Sequence, residues 1–413
     1  MQKKQGRSYI LLKEAFIATI ILSLTLFLVS LLPLKNEFLG PVKQEFNDFD
    51  VYDLFYAGNG DAQQGVKDAD IFIVQAGDTR TQIADQVNKL KSLQPAVIGI
   101  DLSFAEKKEP STDSLLMASI TTAPNVVPGY SIIAETDGVD VIKEHFLPGE
   151  FLQSNGGFIN FSHVDSFSVI RNFGPFYVKG GKSYPAFSVR AAQIYSPKKF
   201  AALKARDNNI EPINYFGNID YYNNYSAKEF DELYGTNQLG FLKGKIVLLG
   251  SFTKNDGSPK VMEDMRFSPL NERPEGKSFP DIYGVVIHAN IISMILNGNS
   301  YITAPAEWVS YAISFALSFL LVYYMLHLHK KYSHPIHLRF LAIQILSVII
   351  VIYLFLKLFD WFKLKVTLTP IVIIMVLSIE FFELYKILAI FLHKKIKYKT
   401  IFSGHKPHQH EEH

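Results

Sequence analysis

Asp78, Arg80, Asp101, Ser251 and His288 are polar residues that fall at or near the ends of apolar stretches. The runs 70–75 (DIFIVQ), 96–102 (AVIGIDL) and 245–249 (KIVLL, followed by Gly250) are short, continuous and bounded by Asp or Gly. That pattern predicts strands buried on both faces. In an open parallel sheet, ligands sit in the crevice beyond the carboxyl ends of the strands. Two carboxylates, a guanidinium, a hydroxyl and an imidazole gathered there would bind a small ligand or an ion. The same residues also have an ordinary structural use. Asp78 and Asp101 can cap loops and helices, and His288 can be a hydrogen-bonded core residue.

Glu380 and Glu383 are a second pair with chemical interest, because both fall in the apolar run 366–390. If that run meets hydrocarbon at residue 366, Glu380 lies about 21 Å along a helix rising about 1.5 Å per residue, inside a core about 30 Å thick. A carboxylate at that depth is expensive and demands a partner, which makes both residues candidates for coupling across the membrane. The alternative is a helix that emerges early, with both carboxylates in the cytosol.

Catalytic signatures are absent. The chain has no G-x-S-x-G, no H-E-x-x-H and no phosphate-binding glycine loop ending in GK[ST]. It is read as a non-enzyme, with no catalytic residue, no cofactor and no metal site. Having no cysteine, it also has no disulfide, thiolate zinc site or thiol chemistry. The histidine-rich stretch 405–413 reads as a solvated tail.

The elements that must position the polar residues follow from spacing. Ile83, Val87, Leu90 and Leu93 share one face of a helix over 79–93, with Thr79 or Asp78 as its cap. A short helix is predicted over 112–120 and a strand over 125–127. This alternation predicts an α/β fold, a mostly parallel sheet with helices on both faces. Further along, strands are read at 156–161, 168–170 and 210–216, and a hairpin over 173–184 turning at Gly180-Gly181. A helix over 184–194 has Pro185 near its start, and a long loop covers 252–280. Residues 35–68 form an amphipathic lead-in. The last helix, 282–298, carries His288 and an apolar face of Val285, Ile287, Ile291, Ile292, Met294 and Ile295, and stops at Asn297-Gly298. About nine residues join it to the next apolar run, too few for a flexible tether. A shift of this helix should therefore be felt in the membrane.

Charge divides the 413 residues. Residues 35–303 hold 25 Lys+Arg against 32 Asp+Glu, a net of −7, and the rest holds 16 against 7, a net of +9. The acidic segment argues against nucleic-acid binding. Four transmembrane α-helices are predicted at 15–34, 308–328, 340–356 and 366–390. Lys3, Lys4, Arg7 and Lys13 precede the first. Lys330, Lys331 and Arg339 separate the second from the third, and Lys394, Lys395, Lys397 and Lys399 follow the fourth. The positive-inside rule makes 1–14 and 391–413 cytoplasmic and 35–303 extracytoplasmic.

Seven stretches carry a resemblance to a known family. They are VIGIDLSF at 97–104, GFINF at 157–161, YPAFSVRAA at 184–192 and INYFG at 213–217. LKGKIVLLGS at 242–251, the loop holding Asp264, Ser268 and Pro269, and YGVVIHANII at 283–292 complete the set. In this order and spacing the chain resembles, over most of 45–300, the second class of CHASE domains. These are extracellular sensory modules associated with cyclases and histidine kinases, commonly laid out as one span, the outer domain and three spans. Members often carry a D-x-D-G-x-x-R-like turn. Here Asp165 and Arg171 match it, while Phe167 and Ser168 stand where Asp-Gly is usual.

The resemblance implies a sensory, receptor-like protein of a bacterial inner membrane with its large domain in the periplasm. It would bind a periplasmic ligand or protein and signal through its helices. Since members usually continue into a cyclase or kinase and only a short tail follows here, the output would be a separate membrane or cytoplasmic protein. The alternative is a structural or scaffolding subunit of a cell-envelope complex. Homo-oligomer formation is left open.

Overall fold

A computed structural model describes residues 2–30, 50–59, 67–104, 107–134, 140–142, 146–161, 169–254, 264–271, 279–331 and 337–404. The chain forms two compact units, Gln44–Ile302, and Met1–Lys43 with Thr303–His413.

Gln44–Ile302 is built on a six-stranded sheet in the order Asn223–Tyr225, Ile71–Gln75, Ile246–Gly250, Val97–Asp101, Val126–Tyr130, Gly157–Phe158, with every neighbour parallel. The four central strands are apolar runs because both of their faces are covered. A side chain at Gly99 would strike Phe187 and Leu248, so that face of the sheet lies under the Phe187–Tyr195 helix. Ile98 and Ile100 alternate to the other face, where the Arg80–Leu93 and Pro110–Thr121 helices pack. Gly284–Asn297 packs beside Phe187–Tyr195 and over the Ile246–Gly250 strand. A Cβ at Gly250 would lie 2.7 Å from Val285 Cβ, so glycine there lets the helix start directly over the strand end.

Local sequence sets the boundaries. Of the two candidate caps, Thr79 caps the Arg80–Leu93 helix: its side chain accepts from the Gln82 N–H, and the Gln82 side chain accepts from the Thr79 N–H. The hairpin pairs Phe176–Lys179 with Lys182–Pro185 and turns at Gly180 and Gly181, whose φ values are +56° and +76°.

Several expectations are corrected. The 282–298 helix begins at Gly284, and Ile282–Tyr283 pairs antiparallel with Met265–Arg266 inside what was read as one long loop. The strand at 156–161 is limited to Gly157–Phe158. Of 168–170, Val169 makes a single bridge to Phe267. The 210–216 run pairs only at Glu211–Pro212, because the following residues turn onto the last helix. Phe216 N–H donates to Asn290 Oδ1 at 2.7 Å, and Asn214 N–H lies 3.4 Å from Met294 Sδ. Tyr184 and Pro185 belong to the hairpin, and the helix starts at Phe187. Most of the amphipathic lead-in, Asp165 to Ser168, and the histidine-rich stretch lie outside the described residues.

The exit from this unit is fastened. Gly298 adopts φ +70° and closes the helix on the Met294 carbonyl. Lys199 Nζ donates to the Asn297 carbonyl at 3.3 Å, and Arg206 Nη2 to the Ile302 carbonyl at 3.4 Å.

In the second unit, Gln2–Ser30, Glu307–Lys331, His337–Phe362 and Thr369–Ile396 are long helices. Three of them are long and apolar enough to cross a membrane, over Tyr9–Leu28, Glu307–Lys330 and Leu338–Phe362. Residues 15–30 of the predicted first span and the predicted second and third spans fall in these helices, and residues 31–34 lie outside the described residues. Thr369–Ile396 is also a single helix, but any 18-residue stretch of it includes Glu380, Glu383 and Lys386. A four-span bundle is thus an inference beyond the three apolar helices. Polar contacts join the helices: Ser318 Oγ lies 3.1 Å from Ser378 Oγ, and Gln344 Nε2 donates to the Met375 carbonyl at 2.7 Å. Thr303 is clamped to the loop after His337–Phe362: its N–H donates to the Lys363 carbonyl at 2.8 Å, and its carbonyl accepts from the Lys365 N–H at 2.9 Å.

Candidate functional site

Gln75, Gly250 and Asp101 are opposite one another in the register of three adjacent strands, so their carboxyl ends are level. Above these ends opens a cleft of about 1060 Å³. Asp78, Arg80, Asp101, Ser251 and His288 all line it. Loops supply most of the remaining wall, among them Ser103, Phe104, Lys108, Phe161 and Asp264, and the short Met265–Arg266 strand adds Arg266. The size suits a small organic molecule, and the lining mixes polar groups with aromatic surface.

The five residues are not equivalent. Arg80 is buried, its guanidinium paired with Asp113 and held over the Phe146 ring at 4.9 Å. It borders the cleft mainly as a structural tie between two helices, which the sequence reading did not anticipate. Asp78 is exposed at the rim, and Ser251 is half-buried. Asp101 and His288 form the floor. The Asp101 side chain is 10% exposed and the His288 side chain 3%, with His288 Nε2 at 3.8 Å from Asp101 Oδ1. His288 is stacked on Phe161 at 4.8 Å and meets Phe187 edge-on at 5.0 Å. Among the described residues its Nδ1 has no hydrogen-bond partner.

Burial sets the charge state of this floor. Desolvation, reinforced by Asp264 and opposed by Arg266, pushes the Asp101 carboxyl up to about 7. Desolvation lowers His288 to about 3, against a hydrogen bond that the imidazole donates to the Ile159 backbone and that favours the cation. At neutral pH the imidazole is therefore neutral, and the 3.8 Å approach is not an ion pair. Among the described residues, no group of three or more His, Cys, Asp or Glu could hold a metal ion.

Sequence reasoning did not find Lys108, Phe161, Asp264 or Arg266 as cleft residues. Asp264 and Phe161 stood in stretches noted for other reasons, and no spacing rule brings a loop residue to a strand end. Arg171, half of the family-like turn, is instead engaged with Asp53, Nε to Oδ1 at 2.9 Å and Nη2 to Oδ2 at 2.5 Å. Glu380 lies on the exposed side of its helix, while Glu383 pairs with Lys386 at 3.3 Å.

Residues 26–323 match the CHASE2 domain family, and the chain belongs to it. CHASE2 is an extracellular sensory domain family, and its domains are not catalytic. Neither a curated protein nor a solved structure matches the chain.

Proposed function

We propose that this protein is a membrane-anchored, extracytoplasmic receptor that binds a ligand in the cleft over Asp101 and signals through its helices to a separate partner protein. The observation that carries the reading is the placement of one helix. Gly284, Val285 and His288 line the cleft at one end of Gly284–Asn297, and the other end leads through a fastened exit segment to Thr303. Ligand contact at the first turn is communicated along a rigid rod whose far end has little slack. Membership in a sensory family supports the same reading. The basic residues at 3–13, 330–339 and 394–399 support a four-span topology with both termini in the cytoplasm of a bacterial cell and the α/β unit in the periplasm.

Two variants test the function. Ser251→Trp places a bulky side chain in the cleft, and four Gly/Ser residues inserted after Gly298 loosen the exit. Crosslinking and recovery from membranes identifies the partner, and its output provides the signal. Both variants should keep the partner and lose the signal, whereas Glu380→Gln should weaken partner recovery and leave the α/β unit folded. Normal signalling from the insertion variant would favour a scaffolding subunit. The topology is read separately with single cysteines in this cysteine-free chain: an impermeant thiol reagent on intact spheroplasts should label position 207 and not positions 4 or 395.

A further inference from the structure

Asp101 is the unresolved group of this domain. Its side chain is nine-tenths buried at the bottom of the cleft. Among the described residues no donor lies within hydrogen-bond distance of its carboxylate, and the imidazole at 3.8 Å carries no charge at neutral pH. The first helical residue, Gly284, directs its own N–H to the Asp264 carbonyl at 3.3 Å. Other buried carboxylates of the unit, Asp53 and Glu211, each meet an arginine. A buried carboxylate without such a partner costs stability, and it is kept here on the floor of a cleft.

The surroundings select the charge and kind of ligand. The charged and titratable groups acting on Asp101 are Asp264 and Arg266 on the neighbouring loop and His288 on the last helix. Of the two loop-side charges, the acidic Asp264 acts on Asp101 more strongly than the basic Arg266. Arg80 is committed to Asp113. Among the described residues, no group of His, Cys, Asp or Glu here makes a donor set for a metal ion. Phe161 and Phe104 line the same cleft and offer ring faces to an apolar body or a cation.

We propose that Asp101 is an ammonium-recognition point, so that the ligand of this cleft is a small organic amine bound in its protonated form with its nitrogen on the Asp101 carboxylate. This rests on the sensory reading of the cleft and narrows it to one class of ligand. It also predicts a pH dependence. A simple alkylammonium stays charged well above pH 8, with a pKa of about 10.4 as in lysine. His288 stays neutral from pH 6 to 8, and Asp101 loses its proton near 7. Affinity should thus fall about tenfold from pH 8 to pH 6.

The test uses the full chain in lipid nanodiscs and three probes with one carbon chain: n-butylammonium, n-butanol and butyrate. Isothermal titration calorimetry, with empty nanodiscs subtracted, should show butylammonium binding at least tenfold more tightly than the other two. Asp101→Asn should weaken it at least tenfold, and Lys228→Gln, on the exposed surface and outside the lining of the cleft, should leave it unchanged. Circular dichroism checks that the variants fold. If Asp101→Asn does not, the pH 6 and pH 8 titrations of the unaltered chain decide. Butyrate or butanol binding as well as the amine, butylammonium failing to bind, or affinity unchanged by Asp101→Asn or by pH would each overturn the assignment. None of these results touches the Ser251→Trp signalling test, which reads the sensory function independently.

Discussion

Asp53 and Asp101 are both buried carboxylates beside a nitrogenous side chain, and the fold treats them in opposite ways. Asp53 receives two hydrogen bonds from the Arg171 guanidinium, in the paired geometry that a planar fork gives a carboxylate. Asp101 faces a neutral imidazole at 3.8 Å and opens onto a cleft. The first arrangement joins the Asp53–Asn59 helix to the body of the domain. The second holds a group in reserve. The Asp53 charge is met within the chain, whereas among the described residues the Asp101 carboxylate has no such partner and is open to the cleft.

The largest effect expected from this contrast is on the structural side. Arg171→Ala strands a buried Asp53 and should cost about 3–5 kcal/mol of stability, read by denaturant unfolding of the full chain in detergent. A loss below about 1 kcal/mol would place the two sites in the same class.

Next comes the pH response of the cleft floor. Asp101 is raised from 3.8 to about 7, so its contribution is full below pH 4 and is lost as pH rises to 7. His288 is lowered from 6.5 to about 3, so its contribution is full above pH 6.5 and is lost as pH falls to 3. Between pH 4 and 6.5 the two slopes oppose each other. Asp101→Asn should leave the histidine slope, with stability falling as pH falls. His288→Gln should leave the aspartate slope, with stability rising as pH falls. Relative to each other the variants should diverge across this window, by at most about 1.4 kcal/mol per pH unit from each group. Parallel pH profiles would mean that the two groups do not titrate as the buried geometry requires.

Smaller effects sharpen the same contrast. Arg206 grips the buried Glu211 through Nε at 2.6 Å and Nη2 at 3.0 Å. Arg206→Lys keeps the charge and loses the fork, and should cost about 1.5 kcal/mol in the same unfolding measurement. The Lys245–Asp70 pair is half exposed, and Lys245→Gln should cost less than about 1 kcal/mol.

The central strands could be read from sequence because a strand covered on both faces needs an unbroken apolar run, as at Ile71–Gln75 and Ile246–Gly250. The edge strand Asn223–Tyr225 could not. It is polar and half-buried, and it pairs only through the parallel ladder to Phe72, Ile73 and Val74. The stretch 210–216 misled for the opposite reason. Its apolar residues are buried by the last helix rather than by a sheet, a tertiary preference invisible to periodicity. The cleft was half legible. Residues at strand ends can be placed by topology, but Lys108 and Phe161 arrive on loops, and Arg266 on a two-residue strand, whose paths no spacing rule gives. Arg80 shows a further limit. Its position was foreseen, while its commitment to Asp113, on another helix, depends on packing.

The clamp at Thr303 has a mechanical consequence. Its two backbone bonds tie it to the loop that joins His337–Phe362 to Thr369–Ile396, while the chain itself runs on into Glu307–Lys331. A load arriving at this residue is consequently divided at a pinned joint, part going down one helix and part into the crown of a helical hairpin. Such a joint turns a single pull into shear between neighbouring rods rather than into travel of any one of them.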